Sequence, residues 1–461
     1  MTKARSTMFI CQQCGKESLK WLGRCPDCDG WNTFEETVVK TPTRSGPARP
    51  VDQSALCELS QIAAAESPRL VPPFAEFQRV LGGGVVPGSL VLISGDPGIG
   101  KSTLLLQVAA GVAGQGGNVV YVSGEESSHQ TRMRADRLQI SGRGLYLLTE
   151  TDVEVILEQM EALSPSLGII DSIQTTHLSG LEGAPGSISQ VRECTLRLMQ
   201  WAKASGVPLL ISGHVTKEGG IAGPKVLEHI VDVVLHLEGE SFSTYRVLRG
   251  AKNRFGSTNE VGVFEMRDTG LAEVDNPSQV FLSQRPERAV GSAVVATMEG
   301  TRPVLVEIQA LTNVTSFGLP RRTANGVDLN RLLLIAAVLS RRAGLQLSNQ
   351  DIIVNVTGGL KVREPSADLG VALAIASSFS NRETDPHTVV LGEIGLSGEV
   401  RSVSHIERRL AEAARLGFTR CLGPKTSLEG VTPPRGMELT GVTWLREALR
   451  SSLRTRAGPE E

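Results

Sequence analysis

The stretch "LVLISGDPGIGKSTLLLQVAAGVA", Leu90–Ala113, decides how the centre of this chain folds. It opens as a short apolar run, passes through a glycine-rich loop and continues with helical spacing. The loop "GDPGIGKS", Gly95–Ser102, fits the phosphate-loop pattern G-x-x-x-x-G-K-[ST] in its required strand-to-helix context. Glycines let successive backbone N–H groups turn toward a triphosphate, and the helix N-terminus adds a positive dipole. The candidate ATP cradle is Gly95, Asp96, Pro97, Gly98, Ile99, Gly100, Lys101, Ser102 and Thr103. Lys101 is placed to neutralise β/γ oxygens, and the Ser102 hydroxyl to join a Mg²⁺ shell.

The alternation continues outward. "NVVYVS", "LGIIDS" and "VPLLISG" read as strands, while "SHQTRMRADRL" and Ser187–Ala204 read as helices. Strands alternating with helices of this length imply a parallel sheet wrapped by helices. Three later runs, "VDVVLHLEG", "TYRVLRG" and "VGVFEMRD", suit antiparallel strands added at its edge. Asp171 ends a buried strand and suits Mg²⁺ or its water. Glu125 and Glu126 follow "NVVYVS", and one of them can orient and deprotonate an attacking water. Glu125 is favoured, and the alternative is that the pair simply starts a helix as a solvated acid cluster.

Upstream, Cys11-x2-Cys14 and Cys25-x2-Cys28 are separated by ten residues. Two close thiolate pairs fold over one tetrahedral ion, with Zn²⁺ the first choice and iron the second. Trp21, Trp31 and Arg24 either form a partner or nucleic-acid surface or cover the metal. Cys57, Cys194 and Cys421 lie far apart and read as reduced thiols. Residues 37–68, rich in Pro, Ser, Thr and Ala, read as a linker.

Downstream, "AKNRFG", Ala251–Gly256, places Lys252 and Arg254 two residues apart, on one face if the segment is extended. They suit an arginine-finger role on a neighbouring subunit's γ-phosphate, or a DNA phosphate. The alternative is a solvated basic hairpin.

A last α/β block spans about 285–452. It opens with a hairpin around Glu299-Gly300, followed by the helix "LNRLLLIAAVLSRRAG", the strand "DIIVNV", the run "VREPSADLGVALAIASS", the strand "TVVLGEIGL" and the helix "HIERRLAEAARLG". Ser366 stands in that run as a candidate nucleophile. It is equally placed to cap the following helix, with Asp368 in the first turn. Residues 453–461 read as a frayed tail.

The 461 residues allow roughly three domains. A net charge of −2 excludes a diffuse basic footprint, so nucleic-acid binding must come from local patches. No apolar run approaches the roughly 18 residues of a membrane span, and the start has no apolar signal core. A cytoplasmic protein is expected, with no membrane partner.

The cysteine motif, "GDPGIGKS", "YVSGEES" and "KNRFG", in this order, closely resemble the bacterial DNA-repair ATPase family RadA, also called Sms. The resemblance covers nearly the whole chain and implies a fold class: α/β, with an N-terminal four-cysteine zinc motif (1–36), a RecA-like P-loop ATPase core (69–275) and a C-terminal Lon protease-like domain (285–452). It further implies a homo-hexameric ring related to DnaB-type helicases. Lys252 and Arg254 would reach a neighbour's nucleotide, and single-stranded DNA would thread the ring. The family stimulates branch migration in strand exchange by a RecA-type recombinase, acts on branched DNA and is nucleoid-associated. In Lon, a P-S-A-G serine works with a lysine from a later helix. Here Asp368 replaces the glycine, and the lysine's place falls near Glu407–Arg409, where neither side chain can serve as a neutral amine base. The rivals to a DNA-dependent motor are an ATP-dependent serine protease, which lacks its lysine, and a regulatory ATPase scaffold. Lys361, Arg363, Arg321 and Arg322 are the candidate DNA contacts of the last block.

Overall fold

The structure is a computed structural model that describes residues 6–11, 16–39, 68–214, 227–239, 244–283, 285–286, 289–316 and 318–453. Cys14, Cys57, most of the expected linker and nearly all of the tail lie outside the described residues. By chain contacts there are two compact units. One comprises residues up to Glu238 with Arg246–Glu273, the other Gly239–Tyr245 with the residues from Val274 onward.

At the N-terminus, β1 (Ser6–Cys11) pairs antiparallel with β2 (Glu17–Ser18) and β3 (Phe34–Val39). β3 carries Thr37, Val38 and Val39 into the stretch expected to be linker. Those residues pair with Met8, Thr7 and Ser6, and this pairing holds them in the sheet.

The first unit is built on a nine-stranded sheet. Its strands are β4 (Leu90–Gly95), β5 (Val119–Ser123), β6 (Leu145–Leu148), β7 (Leu167–Asp171), β8 (Leu209–His214), β9 (Val233–Glu238), β10 (Tyr245–Asn253), β11 (Val261–Arg267) and β12 (Gly270–Glu273). Their order is β12-β11-β10-β9-β4-β8-β7-β5-β6. The strands from β9 to β6 run parallel. The expected antiparallel extension therefore begins one strand later than predicted: β9 is parallel to β4, and β10 is the first to reverse. Every residue of β4 is buried. Leu90 and Leu92 enter the apolar cluster on one face, Val91 and Ile93 that on the other, as the two-residue period of a doubly covered strand requires. Helices α1 (Ala75–Leu81), α2 (Lys101–Gly114), α3 (Ser128–Arg137), α4 (Val153–Leu163) and α5 (Ile188–Ser205) accompany this sheet. α1 has no counterpart in the sequence reading, because seven residues give too few turns for a periodic signal.

The second unit holds a seven-stranded mixed sheet. Its strands are β13 (Ser292–Glu299), β14 (Arg302–Val314), β15 (Arg322–Asn325), β16 (Gln350–Val356), β17 (Thr388–Val390), β20 (Arg420–Pro424) and β21 (Glu438–Val442). Their order is β15-β16-β14-β13-β17-β20-β21. The predicted strand "TVVLGEIGL" is broken. β17 stops at Val390, Gly392 takes φ +151°, and the chain leaves for a separate hairpin of β18 (Glu393–Ile394) and β19 (Val400–Arg401). The predicted helix from Leu329 is α-helical only to Val338, and Leu339–Ala343 follow as a π turn. The helix Asp368–Ser380 is buried along most of its length, and Gly370 allows that depth. A Cβ there would lie 2.1 Å from Val295 Cγ1.

Candidate nucleotide site, metal centre and Ser366 cluster

β4 delivers the loop Gly95–Gly100 to the start of α2. Gly95 takes φ +154°, and a Cβ would stand 2.5 Å from the Leu237 carbonyl. Gly100 takes φ +114° and precedes α2 with no side-chain cap. The first amides of α2 are thus not filled by a capping side chain, as an anion cradle requires. Lys101 is 4% exposed, and its Nζ donates to the carbonyls of Gly95 (2.8 Å) and Asp96 (3.0 Å). Burial pushes its pKa below the ordinary lysine value, against the attraction of Asp171, Glu125 and Asp96. Such an ammonium gains from an arriving polyanion. Arg246, which the sequence did not single out, fixes the loop from below by donating to the Ile99 carbonyl at 3.1 Å.

Asp171 ends β7 beside this loop. Its two carboxylate oxygens accept from Tyr121 Oη (2.6 Å) and Ser212 Oγ (2.5 Å). Burial, then the carboxylate of Asp171, holds the Tyr121 phenol well above its ordinary pKa, so it stays a donor. Glu125 and Glu126 part company. Glu125 accepts from Ser172 Oγ at 2.5 Å and is close enough to Lys101 to influence it. Glu126 turns to an ion pair with Arg134. Glu125 is thus the carboxylate on the side of the phosphate loop. Tyr121, Ser172, Ser212 and Arg134 carry these distinctions. None belongs to a motif: Tyr121 and Ser212 lie inside β5 and β8, Arg134 lies inside α3, and only Ser172 directly follows a strand.

Lys252 and Arg254 reach one turn. A bulge between Gly250 and Lys252 resets the register of β10. Lys252 Nζ donates to the carbonyls of Glu228 (2.5 Å) and Val231 (2.8 Å). Arg254 Nη1 donates to Asp232 at 2.9 Å, and the other oxygen of Asp232 accepts from the Leu90 amide at 3.1 Å. Arg254 remains 47% exposed.

Among the described residues, the sulfurs of Cys11, Cys25 and Cys28 lie within 4.8 Å of one another. Cys11 and Cys28 are 3.6 Å apart, far beyond a disulfide bond and close to the roughly 3.8 Å edge of a tetrahedral zinc–thiolate site. The donor set fits Zn²⁺. Trp31 is 71% exposed with Arg24 stacked over it, so most of its ring is not spent on covering the metal.

Three family models match the chain: an AAA domain over residues 60–220, a rubredoxin metal binding domain over 9–36, and subunit ChlI of Mg-chelatase over 308–427. The DNA repair protein RadA of Bacillus subtilis (strain 168) is 54% identical over 98% of this chain and 100% of its own. This chain belongs to the RadA family. The RadA of Halalkalibacterium halodurans is 53% identical over 97% of this chain and 99% of its own. A solved structure, a KaiC-like protein from Pyrococcus horikoshii OT3, is 21% identical, covers 45% of this chain and 99% of its own, and has a TM-score of 0.38. The protein is therefore a RadA-type DNA repair protein with an AAA ATPase domain. No helix among the described residues is long and apolar enough to cross a membrane.

In this RadA chain, Ser366 does not cap the following helix. It lies inside the turn Pro365–Ala367, which runs directly into the helix with Ala367 at the cap position and no side-chain bond. The Ser366 hydroxyl instead accepts from Arg409 Nη1 at 3.2 Å. Arg409 is fully buried. It pairs with Glu364 and donates to the carbonyls of Ala296 and Ser404. Glu364 also accepts from the Met298 amide at 2.8 Å. Burial alone would raise the Glu364 pKa, but the bonds from Arg409 and Met298 bring it below its ordinary value. A guanidinium cannot accept the serine's proton, and Glu364, whose carboxylate is also hydrogen-bonded to Ser366, is held below its ordinary pKa, so the cluster offers the hydroxyl no strong base. Asp368 does stand in the first turn, but its carboxylate is held by Arg331 and the Ile394 amide. Of the candidate DNA contacts here, Lys361, Arg363 and Arg321 are exposed, whereas Arg322 is tied to the carbonyls of Leu347 and Gln350.

Proposed function

We propose that this protein is a DNA-dependent ATPase motor of DnaB-helicase type. It would drive branch migration of recombination intermediates alongside a RecA-type recombinase and so aid DNA break repair. The observation that carries this role is the convergence of Lys101, Asp171 and the Ser172-held Glu125 at one end of a parallel sheet, in a chain of the RadA family. Lys101 leaves its loop carbonyls for β/γ oxygens, while Ser102 and Asp171 hold Mg²⁺. Bound there, the ion supplies charge neutralisation to the leaving phosphate. Glu125 orients the attacking water and takes its proton. Arg254 and Lys252 sit on main-chain carbonyls and one carboxylate, partners that a neighbouring subunit's γ-phosphate can replace. This supports action in trans within a homo-hexamer around single-stranded DNA. The four-cysteine motif holds Zn²⁺ as a structural knuckle, with Cys14 as fourth ligand. The domains are an N-terminal zinc motif that runs on through Val39, 69–275 and 285–452, and the last is proteolytically inactive. The protein acts in the cytoplasm at the nucleoid.

The test is phosphate release with and without single-stranded and branched DNA, with Lys101→Ala as control. Turnover should rise with DNA; a rate unmoved by DNA across a range of salt sinks the motor role. Mixing Arg254→Ala with Lys101→Ala subunits should recover some activity if the finger acts in trans, and none at any ratio if it does not.

A further inference from the structure

The turn that carries Arg254 brings two cations to one buried carboxylate. Asp232 is 3% exposed and stands just before β9. Its Oδ2 accepts from the Leu90 amide at 3.1 Å, at the start of the strand that ends in the phosphate loop. Its Oδ1 accepts from Arg254 Nη1 at 2.9 Å. The same Oδ1 lies 4.0 Å from the ammonium of Lys203, in the last turn of α5. Lys203 is half exposed, and Asp232 is its one ion-pair partner among the described residues. Main-chain bonds fix the root of Arg254. Its amide donates to the Asp232 carbonyl at 3.2 Å, and the Asp232 amide donates to the Leu90 carbonyl at 3.0 Å. The Arg254 side chain can therefore swing out while its backbone stays in place. Lys252 does not serve Asp232 in its stead. Its Nζ is bound to the carbonyls of Glu228 and Val231, and the finger role sends it outward together with Arg254.

Withdrawing Arg254 alone would leave a buried carboxylate without a cation, which is costly. The cost falls when a second cation moves onto the vacated oxygen. Lys203 meets the need: a compact charge on a flexible four-carbon stem, one short movement from Oδ1. The two cations repel each other while they share the oxygen, so the departure of one draws the other in. We propose that Lys203 is a positioning residue for Arg254. It takes the Asp232 carboxylate when the guanidinium leaves for a neighbouring subunit's γ-phosphate, and returns it when the phosphate has gone. This rests on the finger role proposed above and adds to it a residue outside every motif. Without Lys203, Arg254 stays longer on Asp232 and the neighbour's site turns over more slowly. A lysine that only offset the dipole of α5 would leave turnover untouched.

The experiment is steady-state ATP turnover by the full-length protein with single-stranded DNA, alongside its affinity for a fluorescent ATP analogue and its melting midpoint. Lys203→Met should lower kcat about tenfold and leave affinity and midpoint at wild-type values. Lys203→Arg keeps the charge and should restore most of kcat. Adding Asp232→Asn to Lys203→Met should also recover turnover, because no buried charge then holds Arg254 back. Mixing shows in which subunit Lys203 acts. Lys203→Met mixed with Lys101→Ala should regain turnover, since Lys101→Ala subunits bring an intact finger. Lys203→Met mixed with Arg254→Ala should not. Recovery with Arg254→Ala subunits would place Lys203 in its own subunit's nucleotide site and overturn the proposal. A wild-type kcat in Lys203→Met while Arg254→Ala is impaired also overturns it, and the finger role then stands alone. If Arg254→Ala itself turns over at the wild-type rate, finger and relay fall together.

Discussion

Lys101 in the first unit and Arg409 in the second are both buried long cations, and the two do opposite things. Lys101 is 4% exposed and rests on carbonyls of its own loop. Arg409 is 0% exposed and is held by Glu364, Ser366 and two main-chain carbonyls. A buried ammonium whose pKa is pushed down by burial is a site prepared for an anion. A buried guanidinium closed into a ring of acceptors is part of the fold. A buried positive charge alone therefore says nothing about chemistry; the replaceability of its partners does.

Substitutions can break this comparison. Lys101→Ala should cost about 10³-fold in ATP turnover. Lys101→Met should leave the melting midpoint unchanged or raised, because a desolvated charge has gone. A large drop in the midpoint would make Lys101 structural after all. Within the same site, Glu125→Gln should lower turnover about 100-fold, and Glu126→Gln by about threefold or less. Equal losses would undo the distinction drawn from Ser172 and Arg134.

Arg409→Met should destabilise the second unit by about 3 kcal/mol, because Glu364 is left without its partner; urea unfolding reads this directly. A loss under about 1 kcal/mol would show that the pair is dispensable. The pH dependence follows from Glu364, whose folded pKa lies below its ordinary value of 4.5. Its contribution is full above the unfolded-state pKa and disappears as pH falls through the folded one. The stability gap between wild type and Glu364→Gln should therefore be widest near neutrality, begin to narrow as pH falls past 4.5 and close only once pH has fallen through the folded pKa. The smallest effect is expected at the hydroxyl itself. Ser366→Ala should cost about 1 kcal/mol and leave ATP turnover unchanged, with no casein cleavage before or after. Cleavage that the substitution abolishes would restore the protease.

The sequence made the phosphate loop legible because the loop's chemistry is local: glycines, lysine and serine lie within eight residues. The parallel sheet was equally legible from apolar runs of strand length. What could not be read depends on partners distant in sequence. The sequence favoured Glu125 over Glu126, but the contact that separates them is with Ser172, 47 residues away. The fate of Ser366 needed Arg409, 43 residues away; the sequence placed an arginine in the right region but could not show it donating to the serine. The direction of β9 was missed because its apolar pattern is the same in either orientation. Its pairing with β4 is a tertiary choice.

The break at Gly392 has an evolutionary consequence. Because the chain leaves the large sheet there, residues from Glu393 to Arg401 form a separate hairpin, tied outside itself by the Val400 amide on the Thr443 carbonyl and the Leu445 amide on the Gly398 carbonyl. Changes at its tip would not shift the register of β17 against β20, which is fixed by Thr388–Val390 and by the Leu391 amide on the Leu422 carbonyl. Ser397 at that tip can therefore be exchanged with little effect on the core, whereas Gly398 is fixed by its φ of +87°, by Arg342 packed against it and by the Leu445 amide on its carbonyl. Selection can retune what the hairpin touches without renegotiating the fold.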